Sequence, residues 1–323
     1  MLGRAFSFIA ATLLFAFAAP LAQAEWPDHP IRFIVPFGPG GANDLIARVA
    51  ADGVGKQLNQ TVVIENRPGA GAVVGTTAVA RAAPDGYTFL IGAAGVITNS
   101  MLLKNLPYAD SDLVPVGMIA VAPSTIVVNP SVPAKDMKEF VAWAKAQGDK
   151  GVNWSTAGSG STPHFVAEMI KEATGIKLTI VPYRSGNEGV NAVLSNAVSG
   201  TSEASIVVIP QIEAGKLKAI ATTYEKRISA YPSLSTTAEQ GYPSVQIGHW
   251  AGLLAPKGTP QPIIDRMNAA LQAALKTPEV KDKLAKTGIE TAGGSVADFV
   301  AFITAERKRL GTLAEKANMS AQQ

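Results

Sequence analysis

The stretch 31–44, IRFIVPFGPGGAND, constrains the chain more than any other. Residues 31–37 form an apolar, β-branched run long enough for one buried strand. Gly38, Pro39, Gly40 and Gly41 stop it, and Asn43 or Asp44 can cap a helix that begins at Leu45. A strand that turns through glycines into a helix leaves unpaired N–H groups at the helix start, aimed at one point. Glycine allows close approach to that backbone, and the helix dipole favours negative charge there. The stretch is therefore either an anion site or a tight strand-to-helix turn with no ligand.

The same order recurs along the chain. Strand 61–65 is broken by Arg67-Pro68-Gly69-Ala70-Gly71 and followed by a small-residue helix over 72–82. Strand 87–92 leads into Ala93-Ala94-Gly95. Two short strands are expected on either side of Pro123 within 114–128, then a helix over 135–147. Strand 152–155 runs into Gly158-Ser159-Gly160-Ser161-Thr162, and Pro163, favoured at the first helical position, opens a helix over 164–174. Strand 178–182 ends in Tyr183-Arg184-Ser185-Gly186 before a helix over 187–196. Further strands are expected at 205–208, 217–221 and 248–256, and helices at 262–276, 278–287 and 295–317, the last three packing back on the first lobe. Two strand–loop–helix units precede residue 125 and two follow it. Parallel units of this kind put ligands at the carboxyl ends of strands, so an α/β, two-lobed clamp with four helix N-termini facing one cleft is the expected architecture.

The ends and the composition narrow the class. Arg4, the apolar run 5–19 and Ala22-Gln23-Ala24 read as a secretory leader over 1–24, with Glu25 as the mature N-terminus. The run is shorter than a membrane span needs. Zero cysteines exclude disulfides, thiolate catalysis and zinc-thiolate sites, so the fold depends on its core, which 47% hydrophobic residues can supply. The net charge of +3 becomes +2 when Arg4 is removed, and the basic residues are scattered. Neither nucleic acid nor a membrane surface is called for.

Catalytic apparatus is not evident. His29, His164 and His249 stand at no metal-ligand spacing, and there is neither a G-x-S-x-G elbow nor a G-x-x-x-x-G-K-[ST] loop. No metal and no cofactor are expected. His164 can donate into the cleft or bond to neighbouring backbone. Tyr183 can wall a cleft or fill core. Glu203, near a strand end, can face a ligand amine or hydroxyl or simply be exposed, and Arg184 and Arg67 read as surface residues. Trp154 and Trp250 read as core.

Taken in order, WPDHPIRFIVPFGPGGANDLIAR, VVIENRPGAGAVVGTTAVARAAPDGYTFLIG, GSGSTPH, VPYRSG, EAGKLKAIA and APKGTPQPIIDRMNAAL resemble the tripartite tricarboxylate transporter substrate-binding receptors, the TctC-like or Bug family of periplasmic proteins. The resemblance implies a periplasmic-binding-protein fold of the venus-flytrap, type II-like kind. Its lobes would be 25–125 plus 223–323 and 126–222. It implies a non-enzymatic receptor that hands a small carboxylate to inner-membrane transporter subunits, acting as a monomer. In that family backbone N–H groups, hydroxyls and waters of two facing loops hold the carboxylate. Carried over, the first loop is Phe37, Pro39, Gly40, Gly41, Asn43 and Asp44; Gly71 and Ala94 belong to the same lobe, and Ser161, Thr162, His164 and Tyr183 to the other. Two positions depart from the pattern: Ala72 replaces a glycine, and Ser199 stands at a usual aspartate. Glu203 occupies a position where a shorter acid is frequent, which marks the second lobe for a different ligand. Two other roles suit the same residues: a co-receptor for a membrane sensor kinase, and an exported hydrolase or isomerase using His164 with Ser161 or Asp44.

Overall fold

The structure is a computed structural model that describes residues 26–319, so the leader expected at 1–24 lies outside the described residues. Its elements alternate: β1 (Ile31–Val35), α1 (Ala42–Leu58), β2 (Val62–Asn66), α2 (Val73–Ala80), β3 (Thr88–Gly92) and α3 (Ala94–Leu102) come first. The long β4 (Leu113–Val128) follows, then α4 (Met137–Ala146), β5 (Val152–Thr156), α5 (Thr162–Thr174), β6 (Leu178–Pro182) and α6 (Gly186–Leu194). β7 (Gly200–Ala204), α7 (Ser205–Glu213), β8 (Lys218–Thr222), β9 (Gly248–Pro256), α8 (Gln261–Lys276), α9 (Pro278–Ala285), β10 (Glu290–Thr291) and α10 (Val296–Lys316) complete the chain. Among the described residues no helix is long and apolar enough to cross a membrane.

The strands form two arrays of one design, making the protein two-lobed. β1 lies parallel between β2 and β3, and β3 continues antiparallel to β9 and β9 to β4. β5 lies parallel between β6 and β7, and β7 continues antiparallel to β4, which pairs on with β8. β4 serves both arrays: residues 113–123 pair with β9, and residues 124–128 pair with β7 and β8. β7 ends opposite Ser124, and β9 begins opposite Pro123, so the two arrays meet end to end along one strand.

One connected apolar core fills both arrays. Phe33 and Phe89 meet edge to face in the first, and Trp154 packs on Phe140 in the second. α8 lies along α1, while α10 covers β4 and α3 and places Phe299 and Phe302 against Trp250. Both tryptophans at 154 and 250 are core.

Several expectations need correction. Three strand–loop–helix units, not two, precede residue 125, and three follow it. Residues 114–128 are one strand, not two. Pro123 stands where pairing passes from β9 to β7, so its missing N–H interrupts neither ladder. Residues 205–208 are the first turn of α7, not a strand; the strand of that unit lies just before them and carries Glu203. α3, unassigned in the sequence, opens at Ala94.

Candidate functional site

The two glycine loops are built alike. α1 starts at Ala42, three residues earlier than expected, with Gly41 as a cap that offers no side-chain bond. Asp44 therefore does not cap a helix at Leu45. It sits in the first turn and accepts the Gly40 N–H at 2.9 Å, with Arg48 Nε at 3.0 Å and Asn66 Nδ2 at 2.8 Å. Burial pushes the Asp44 carboxyl upward, but Arg48, the Gly40 N–H and Asn66 outweigh it and hold the group below the usual range. In the second loop Gly160 donates its N–H to Nδ1 of His164 at 3.1 Å. Ser161, the cap of α5, donates its hydroxyl to the Gly158 carbonyl at 2.6 Å. Gly40 and Gly160 have φ of +78° and +70°, conformations that favour glycine. Burial lowers the His164 pKa, against the pull of Glu168, so Nδ1 stays free to accept.

The lobes are closed on one another. The Gly38 N–H donates to the Arg184 carbonyl across the gap at 3.2 Å, and the Thr98 hydroxyl to the Gly160 carbonyl at 3.3 Å. Between the lobes the N-termini of α1, α3, α5 and α6 surround a chamber of about 30 Å³. Of the expected residues, Phe37, Gly41, Asn43, Ala94, Ser161, Thr162 and Glu203 line it. A second cavity, of about 560 Å³, shares Phe37 and Ala157 with the chamber and takes in Gly71 and Tyr183. Pro39, Gly40, Asp44 and His164 line neither space. Pro39 is exposed, Gly40 packs against Asn187, and Asp44 and His164 brace the loops from behind. Arg184 is exposed, and Arg67 pairs with Glu65 on the surface.

The floor of the chamber differs from its walls. Glu203, 2% exposed, accepts the Ala204 N–H through Oε1 at 2.8 Å. Nε2 of His249, at the start of β9, lies 3.4 Å from the same oxygen and has no hydrogen-bond partner. Burial pushes the Glu203 carboxyl up to about 7 and the His249 imidazole down to about 3. Gly186 lies so close over the carboxylate that any side chain there would collide with it. Sequence reasoning missed His249, Gly186 and Ala157, all of which line the chamber. A polar residue opening an otherwise apolar strand was the one available signal for His249.

Chemically the chamber offers donors. Four helix starts present N–H groups and the positive ends of their dipoles, and no Lys or Arg lines it. Ser161, His164 and Asp44 are each bonded to other partners rather than to one another, so they form no nucleophile–base pair. Among the described residues no group of His, Asp and Glu is placed to hold a metal.

Comparison with known proteins gives a consistent picture. Residues 46–319 match the profile of the tripartite tricarboxylate transporter family receptor. Protein BugT of Bordetella pertussis is 35% identical over 274 residues, 84% of each chain. The solved structure of the periplasmic binding protein BugD is 34% identical and superposes with a TM-score of 0.88, over 92% of this chain and all of that one. A Rhodopseudomonas palustris protein solved with adipate is 30% identical with a TM-score of 0.89, again over 92% of this chain and all of its own.

Proposed function

The chain belongs to the tripartite tricarboxylate transporter receptor family, whose members are periplasmic solute-binding proteins, and from that premise we propose what it captures and to whom it passes it. It closes on a small organic carboxylate in the periplasm and presents the closed form to the membrane subunits of a tripartite tricarboxylate-type transporter. The observation that carries this reading is the convergence of four helix N-termini on one chamber without any basic side chain. Such a chamber can take a carboxylate on oriented N–H groups and helix dipoles alone. A relative solved with adipate supports the ligand class.

The binding residues are those of the chamber: Phe37, Gly41, Asn43, Ala94, Ser161, Thr162 and Glu203. Gly71 and Tyr183 shape the second cavity, and Pro39, Gly40, Asp44 and His164 hold the loops. The lobes are 25–125 with 223–323, and 126–222; the leader 1–24 is cleaved on export, and the receptor is a monomer that performs no chemistry on its ligand. The change of pairing partner within β4 supports the first of these boundaries.

Isothermal titration of the mature protein with mono-, di- and aminocarboxylic acids tests the reading. Saturable heat with at least one acid, and an unchanged ligand by NMR after prolonged incubation, are expected. Absence of heat with every acid overturns it, as does turnover that His164→Ala abolishes.

A further inference from the structure

We propose that Glu203 and His249 form an acceptor subsite for a primary ammonium group, so that this receptor takes an aminocarboxylate in preference to a simple acid or a dicarboxylate. The inference rests on the carboxylate reading above and deepens it.

The walls of the chamber donate hydrogen bonds, and its floor accepts them. Glu203 Oε1 receives one N–H, from Ala204, which leaves most of the carboxylate's accepting capacity unused. His249 Nε2 stands 3.4 Å away, buried and without a partner. The imidazole is neutral, because burial holds its pKa far below the ordinary value. In the tautomer with the hydrogen on Nδ1, Nε2 is a second acceptor beside the first. Opposite Glu203, on β4, Thr125 carries a buried hydroxyl that is also unpartnered.

Two adjacent acceptors with no donor between them call for a group that only donates. An ammonium brings three N–H bonds and the compensating charge. A second carboxylate would set acceptors against acceptors and would bind only with a proton added. No other charge supplies the need: the floor faces Glu203 from β7 and His249 from β9, and the first turns of α5, α6 and α7 bring Thr162, Gly186 and Ser205. The other titratable groups at the helix starts around the chamber are committed elsewhere: Asp44 of α1 to Arg48, His164 of α5 to the Gly160 N–H, and Glu188 of α6 to the Arg184 N–H. The chamber is thus polarised, with its positive pole at the helix starts and its negative pole on the floor. A ligand carrying a carboxylate at one end and an ammonium at the other matches it in that orientation.

The experiment compares acids that differ in one group. Titration calorimetry of the mature protein with 6-aminohexanoate against adipate, 4-aminobutanoate against succinate, and alanine against propanoate reads the preference directly. In at least one pair the amino member should bind ten-fold tighter or better at pH 7.5. Its affinity should rise from pH 6 to pH 8, with protons released to the buffer, because Glu203 must ionise to receive it. In Glu203→Gln the ratio within that pair should fall toward one and the pH dependence should disappear. Should that variant not fold, by circular dichroism, Glu203→Asp takes its place and should keep the direction of the pH dependence. Tighter binding of the diacid, with affinity falling as pH rises, would overturn this inference alone, as would an amino preference unchanged in Glu203→Gln. Binding of no acid at all would overturn the carboxylate reading and this inference with it.

Discussion

The two lobes repeat one plan and diverge at one loop. In both, a strand ends in a glycine turn whose N–H is received four residues on: Gly40 by Asp44 and Gly160 by His164. In both, the cap of the helix that follows this turn, Gly41 or Ser161, makes no side-chain cap bond. The third units part company. Counting back from the caps of α3 and α7, Gly92 of the first lobe stands where the second has Glu203. At that position the first lobe therefore offers only backbone, while the second adds a buried acid. The general lesson is that the repeated parts create an anion trap, and the single unlike position decides what else the anion must carry.

The largest effect should come from the floor under acid. The folded imidazole of His249 resists protonation down to about 3 against an ordinary 6.5, so the unfolded chain binds a proton that the folded one does not. Stability then falls as pH drops from 6.5 towards 3, by about 5 kcal/mol if the whole shift is realised. Urea melts of His249→Gln should show a clearly shallower acid limb than the parent, and an identical limb would remove His249 from the comparison.

Glu203 acts with the opposite sign. Its folded carboxyl, pushed up to about 7 from 4.5, keeps its proton when the unfolded one has lost it. Stability falls as pH rises from 4.5 and levels off above 7, a loss of about 3 kcal/mol. Glu203→Gln should gain on the parent by roughly that amount between pH 4 and pH 8 in the same melts. No such gain would mean that the buried carboxylate finds compensation in the folded chain.

A third test sharpens the contact between α6 and the floor. A methyl at Gly186 collides with the Glu203 carboxylate, so Gly186→Ala should cost about 1–3 kcal/mol in a urea melt. Adding Glu203→Ala should return a sizeable part of that cost, and strict additivity would show that the collision is relieved elsewhere.

The smallest effects compare the two glycine loops. Asp44→Ala strips partners from Gly40, Arg48 and Asn66 and should cost about 1–3 kcal/mol, whereas His164→Ala frees one N–H and should cost about 1. Equal losses in thermal melts would erase the distinction. Both bonds weaken in acid, since Asp44 accepts most strongly when ionised and His164 only when Nδ1 is bare. With both folded pKa values lowered, the loops lose stability as pH falls through them.

Much of this was legible in the chain. Short β-branched or apolar runs ended by glycine loops marked β1, β5 and β6 with their helices, because a strand that breaks at glycines into a helical pattern is readable in sequence. Residues 205–208 misled because four consecutive apolar or small residues satisfy strand and buried helix equally, and period alone does not separate them. Pro123 misled because a proline at a change of pairing partner looks in sequence like a strand end. The loops could be read as anion traps, but which residues face inward could not. That depends on the backward reach of Asp44 and His164, which turns both away from the chamber. His249 escaped because its meaning comes from Glu203, which lies far off in sequence and meets it only along β4.

The shared strand has a consequence for how the chain is born. The first three strands lack their antiparallel neighbour β9 until residues 248–256 arrive, and the second array, whose β4 comes first, lacks β8 until residues 218–222 arrive. Contacts so distant in sequence make for slow, all-at-once folding. A polypeptide leaving a ribosome or a membrane pore N-terminus first would therefore stay loose until its final third has emerged, a state well suited to passage through a narrow channel.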